Sequence, residues 1–386
     1  MDWKHFFDVG AVRENTNSVK WDGRERIFGR KDVLPLWVAD MDFFSPGCVR
    51  EALTAEAEKG LWGYADSFDE AKEAVCAWEK KRHGVTADCS QVLLSPGVVD
   101  SLGFSVNAFT KSGDKVAIMP PVYGPFLHVV ENSGRIPYFA PLRNTRDGWR
   151  MDADCLEDGL RQGVKLLLLC SPHNPVGRIW TEAELKDVFS LCDRYGCRVV
   201  TDEIHADFEM PGHRHISSML ISENAVSLVS ATKTFNLAGL RCSSMLFANK
   251  KDRETMQRFL DSVGIGEVST MGAAAQTAAY RGGEEWLNAL LAYLDGTRQA
   301  AEAYVSENMP AFSFSKLEGT YLMWLDMRKA GLSQDRLEKK ILEQAGVALS
   351  SGSSFCPHGE GYMRVNIATP RVNVMKALEN ICRTFE

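Results

Sequence analysis

Between residues 91 and 248 the chain repeats one pattern: a short apolar run, a polar or glycine-bearing end, then an amphipathic helical stretch. The apolar runs lie at 91–94, 115–119, 165–170, 198–201, 225–229 and 243–248. Strands that are apolar on both sides must be covered on both faces. Helices between successive strands supply that cover, so the pattern predicts a mainly parallel sheet with helices on each side. The stretch 181–195 carries its own start signal, because Thr181 and Glu184 have the spacing of a capping box. Residues from about 47 to 285 therefore read as one large α/β domain.

Further along, the pattern changes. A long helical stretch begins near 286, followed by a strand at 320–327, a helix near 333–345 and a strand at 363–367. Residues 1–46 are irregular and rich in aromatic side chains. They are expected to pack with the C-terminal part, so that 1–46 and 286–386 together build a smaller α+β domain. A length of 386 residues accommodates this division, since domains commonly run to roughly 100–200 residues.

Composition narrows the function classes. The net charge of −7 speaks against nucleic acid or an anionic membrane as the main partner. The first ten residues include Asp2, Lys4, His5 and Asp8, which leaves no apolar signal core, and no apolar run is long enough to cross a bilayer. Ten cysteines are scattered without a C-x-x-C pair, so they read as reduced, small apolar fillers in a cytoplasmic protein. His213, His215 and His358 have no third ligand at metal-site spacing, and no metal is expected. Strand-to-helix turns with neither GxGxxG nor GxxxxGK[ST] argue against a nucleotide.

Open parallel sheets bind ligands beyond the carboxyl ends of their strands. At those ends this chain places Ser95-Pro96-Gly97, Ser171-Pro172-His173-Asn174, Asp202-Glu203-Ile204-His205 and Ser230-Ala231-Thr232-Lys233. A lone lysine at a strand end is ordinarily solvated; a lysine, an acid, an amide and a glycine turn gathered at one edge fit pyridoxal phosphate. That cofactor needs an amine for a Schiff base and a carboxylate that keeps its ring nitrogen protonated. Lys233 and Asp202 supply these, and Asn174 can donate to the phenolate oxygen. The turn at Gly97 exposes the amides of Val98 and Val99 to a phosphate. Ser230, Thr232 and Arg241 add hydroxyl and guanidinium donors, and Tyr123 can stack on the ring.

Asn174-Pro-x-Gly177, Asp202, and Ser230-x-x-Lys233 with Arg241 resemble the fold-type I pyridoxal phosphate enzymes of the class I/II aminotransferase superfamily. The resemblance runs over nearly the whole chain. More narrowly, LPLWVADMDF at 34–43, GYAD at 63–66, TDEIHADF at 201–208 and ATKTFNLAGL at 231–240 resemble the MalY/PatB-type C–S lyases, or cystathionine β-lyases.

That likeness implies a seven-stranded, mainly parallel sheet in the large domain and a role for each matching position. Lys233 becomes the Schiff-base lysine and catalytic base, Asp202 the partner of the ring nitrogen, Asn174 the phenolate donor and a substrate contact, and Tyr123 the stacking ring and a second catalytic residue. Arg364 pairs with the substrate α-carboxylate, and Trp37-Val38-Ala39 is the segment that closes over the substrate. Tyr64 reaches the phosphate in a neighbouring subunit, which implies a homodimer. His205 stands where aminotransferases carry a tyrosine, as in the lyase branch. The activity so implied is β-elimination from cystathionine or another cysteine S-conjugate, giving a thiol, pyruvate and ammonia. Transamination is the competing expectation, and a regulatory protein partner is a third.

Overall fold

The computed structural model describes residues 2–265 and 268–386. At its centre stand seven strands: β1 (Val92–Ser95), β2 (Lys115–Ile118), β3 (Ile136–Phe139), β4 (Val164–Cys170), β5 (Arg198–Asp202), β6 (Val226–Val229) and β7 (Ser243–Phe247). Their order across the sheet is β1-β7-β6-β5-β4-β2-β3. Only β7 runs against its neighbours; the β6-β5-β4-β2-β3 pairs are parallel.

Successive residues of a strand point to opposite faces, and β4 shows the consequence. Leu167 and Leu169 pack with Leu185, Val188 and Phe189 of α2 (Glu182–Arg194) on one side of the sheet. Leu166, Leu168 and Cys170 pack with Leu102 and Val106 of α1 (Val98–Phe109) on the other. Each such leucine, fully removed from water, contributes about 1.5–3 kcal/mol, which is why LLLL is tolerated in one strand. Helix α2 starts where its sequence says it should: the Glu184 amide donates to the Thr181 hydroxyl at 3.2 Å, and the Thr181 amide donates to the Glu184 carboxylate at 2.9 Å.

Six of the seven strands match the apolar runs to within about two residues at either end. The seventh, β3, was not among those runs. It is a partly exposed edge strand that carries Pro137, and an edge is where a strand proline is tolerated; both features erase the apolar signature.

A second, antiparallel sheet follows α3 (Ala231–Thr234) and the long α4 (Glu284–Asn308). It is built from β8 (Ser313–Phe314), β9 (Leu322–Asp326), β10 (Ser350–Ser351) and β11 (Tyr362–Asn366), in the order β8-β9-β11-β10. The N-terminal segment lies against α4. Phe7 packs edge-on to Phe43 and Trp286 with ring centroids 5.0 and 5.8 Å away, and the Tyr293 hydroxyl donates to Asp8 at 2.8 Å. From there the chain runs across the carboxyl edge of the large sheet. No helix among the described residues is long and apolar enough to cross a membrane.

Candidate active site

At the carboxyl ends of β4, β5 and β6 lies a cavity of 240 Å³ whose wall holds Asn174, Asp202, His205, Thr232, Lys233 and Tyr123, with Gly97 to Asp100 and Arg241 at one end. Parallel strands all finish on the same edge, so residues far apart in sequence converge there without any further device.

Lys233 sits in the single turn α3. Ser230 caps it, its hydroxyl accepting from the Thr232 amide at 3.1 Å and donating to the Cys242 carbonyl at 2.7 Å. Ser230 is thus engaged in holding the turn and is not part of the cavity wall. Thr234, next along, donates to buried Asp207 at 2.6 Å. With its neighbours pinned, Lys233 projects inward, and its Nζ donates to the Ala39 carbonyl at 2.7 Å. Burial disfavours its charged form and pulls the amine down to about 8, against opposing pulls from Asp40 and Asp202.

Asp202 is the last residue of β5, and its Oδ1 accepts from the Ile204 amide at 3.0 Å. Burial pushes its carboxyl up to about 7, outweighing the Ile204 amide and Lys233. His205 is buried, and burial together with Lys233 and Arg364 drives its pKa well below the usual value. It is therefore a neutral imidazole. Among the described residues its Nδ1 has no hydrogen-bond partner.

Arg364 on β11 is buried and donates to the Asn174 Oδ1 at 3.1 Å, the Trp37 carbonyl at 2.8 Å and the Ser350 hydroxyl at 3.1 Å. No acidic side chain forms an ion pair with it among the described residues. Burial lowers it to about 10, and a buried cation without a counter-charge is costly. Because Arg364 can only donate, Asn174 must present its oxygen to it, which leaves the Asn174 NH₂ for the cavity.

The 37–39 segment meets the site through its backbone. Its carbonyls accept from Arg364 and Ser350 at Trp37, from Asn366 at Val38, and from Lys233 and Tyr321 at Ala39. The Trp37 indole turns elsewhere, donating to the Lys20 carbonyl at 3.2 Å and packing on Phe28. Tyr64 is fully exposed and lies outside this chain's own cavity wall. Among the described residues no group of three or more His, Cys, Asp or Glu is arranged to hold a metal; His215 instead bonds Glu203 at 3.0 Å.

Sequence reasoning missed Tyr321, Ser350, Asn366 and Asp100. Asn366 and Ser350 had a faint signal as polar residues within short strands. Asp100 reads as an ordinary acidic residue in the first turn of a helix.

An amine poised to lose its proton, a buried carboxylate, an amide donor, an uncompensated guanidinium and a glycine-led helix start next to Arg241 form a donor set that suits pyridoxal phosphate. Comparison with known proteins agrees. The family described as aminotransferase class I and II matches residues 31–381, and the chain belongs to that family. It is 37% identical over 380 residues to cystathionine β-lyase PatB of Bacillus subtilis (strain 168), across 97% of this chain and 98% of the relative. A pyridoxal-phosphate-bound structure from Clostridium difficile 630, described as an aminotransferase, superposes with a TM-score of 0.95 at 36% identity, covering 98% of this chain and 99% of that one. Cystalysin from Treponema denticola, which contains pyridoxal 5'-phosphate, gives 0.93 at 29% identity with 98% of each chain covered. The fold is that of the fold-type I pyridoxal phosphate enzymes.

Proposed function

We propose that the chain is a pyridoxal-phosphate-dependent carbon–sulfur β-lyase that cleaves cystathionine or a related cysteine S-conjugate to a thiol, pyruvate and ammonia. The observation that carries this reading is the Lys233 amine in the cavity wall with Arg364 behind that wall, bonded to the lining Asn174 and, among the described residues, forming no ion pair with an acidic side chain.

Bound pyridoxal phosphate supplies an electron sink that makes the substrate's Cα proton acidic. Asp202 would hold the ring nitrogen and Asn174 would donate to the ring oxygen, with His205 as a neutral neighbour. Thr232, Arg241 and the amides of Val98 and Val99 after Gly97 would take the phosphate, and Tyr123 would provide the aromatic wall. Ser230 serves this set indirectly, by capping the Lys233 turn. Arg364 takes the substrate α-carboxylate in exchange for the Trp37 carbonyl. Lys233, as neutral amine, removes the Cα proton; the Cβ–S bond then breaks with its electron pair going to sulfur. The three-carbon remainder hydrolyses to pyruvate and ammonia.

Charge state gives the Lys233 role a pH signature. Only the neutral amine captures the cofactor, and burial brings the neutral form in from about 8 upward rather than from the ordinary 10.5. The rate at which apoprotein captures pyridoxal phosphate, followed by absorbance, is therefore expected to rise with a midpoint near 8. A midpoint near the ordinary value would place the lysine in water.

The reading extends to a homodimer in which Tyr64 completes the neighbouring site, supported by the exposure of Leu61, Trp62 and Tyr64 in one loop. It also divides the chain into a large unit at 47–285 and a small one from 1–46 and 286–386, and places the enzyme in the cytoplasm, where ten free thiols fit a reducing compartment. A regulatory protein partner draws no support from the site.

Transamination has in its favour the family description, aminotransferase class I and II, and the aminotransferase description of the Clostridium difficile structure. Pyruvate release from L-cystathionine, with pyridoxal phosphate present and no keto acid added, separates the two. Many turnovers with matching homocysteine are expected. Silence across cysteine conjugates, with turnover restored by a keto acid, would establish the aminotransferase instead.

A further inference from the structure

At the phosphate end of the cavity the chain already holds an anion of its own. The Arg241 Nη2 donates to the Asp100 Oδ2 at 2.8 Å, and neither residue forms another ion pair among the described residues. Asp100 is the third residue of α1 and folds back over the turn that opens the helix: a Cβ placed on Gly97 would lie 2.7 Å from that same Oδ2. One carboxylate oxygen therefore touches both halves of the anion seat, the glycine turn and the guanidinium. Arg241 meets it from a left-handed backbone position, φ +48°, that residues with a side chain seldom adopt. Both residues line the cavity.

A helix start beside a guanidinium favours negative charge, and a phosphate that enters finds a carboxylate in place. We propose that Asp100 competes with the cofactor phosphate for Arg241, so that it sets how tightly the phosphorylated cofactor is retained. This rests on the cofactor assignment made above. The pair is partly solvated, with side chains 62% and 35% exposed, so it yields to a phosphate, which can engage the guanidinium through two oxygens. Its residual cost to binding is expected to be roughly two- to fivefold and to shrink in salt.

The test is titration of full-length apoprotein with pyridoxal phosphate and, separately, with pyridoxal, which lacks the phosphate. Asp100→Asn should lower the Kd for pyridoxal phosphate roughly two- to fivefold and leave that for pyridoxal unchanged. Asp100→Ser should do the same. In an Arg241→Gln background the gain should largely vanish, because there is no guanidinium left to compete for. An unchanged or weaker affinity for pyridoxal phosphate in both Asp100 variants would overturn the proposal. So would an equal gain with pyridoxal, or a full gain without Arg241. Wild-type apoprotein that takes up neither compound would instead overturn the cofactor assignment itself.

Discussion

Purified with pyridoxal phosphate, Lys233→Ala is expected to release no pyruvate from L-cystathionine above background, a fall in kcat of roughly 10⁴-fold or more. The cavity wall holds one lysine, and the proposed chemistry asks it to anchor the cofactor and to move the Cα proton. No neighbour can substitute. His205 is held neutral but has its pKa driven far down, so it is a poor base, and burial raises the pKa of the Tyr123 phenol. The fold should survive the change. Helix α3 is held by the Ser230 cap and by the Thr234–Asp207 hydrogen bond, neither of which uses the lysine, and the Ala39 carbonyl keeps the Tyr321 hydroxyl as a donor at 3.1 Å. Pyruvate assayed by coupled reduction, alongside thermal unfolding, checks both statements. Added methylamine, small enough to occupy the vacated space, should restore part of the activity. A variant that keeps a tenth of wild-type turnover would sink the assignment of Lys233.

Asp202→Asn is expected to lower kcat by about 10²–10³-fold while making the apoprotein more resistant to heat at alkaline pH. Asparagine keeps the shape and can still accept from the Ile204 amide, but it cannot carry the negative charge that holds a protonated ring nitrogen. The stability effect follows from linkage. An unfolded aspartate titrates near 4, whereas burial raises Asp202 to about 7 in the folded chain. A raised carboxyl favours the folded state while protonated, and that advantage is lost as pH climbs through about 7. Asparagine does not titrate. The difference in Tm between variant and wild-type apoprotein should therefore grow from pH 5 to pH 8. A difference that stays flat over this range would mean that Asp202 is not desolvated.

The polar edge of the sheet was legible because it depends on local sequence and simple topology. Short apolar runs announce strands that are buried on both faces, and intervening helical periods force the strands to run parallel. Parallel strands bring Asn174, Asp202 and Lys233 to one edge whatever the details of packing. Where a strand escaped notice, as at Ile136–Phe139, the cause was exposure and Pro137 at the sheet's margin.

Other features came only with the folded chain. The 37–39 segment is some two hundred residues from Lys233 in sequence, and nothing in WVA says that its carbonyls rather than its indole would face the site. That outcome depends on Phe28 and the Lys20 carbonyl taking the ring. The Ser230 hydroxyl, a candidate phosphate donor by its place in the sequence, lies between the Cys242 carbonyl and the Thr232 amide and hydroxyl in the folded chain. Asp100 looked like routine helix chemistry until Arg241, far along the chain, was found against it.

By itself, the sequence determined six of the sheet's seven strands, its polar edge and the kinds of groups gathered there, because strand period, capping and strand-end position are properties of short stretches. Tertiary structure alone decided which of those groups face the cavity and which hold one another. A hydrogen-bonding group takes whichever partner packing brings within about 3 Å, and distant parts of the chain supply that partner.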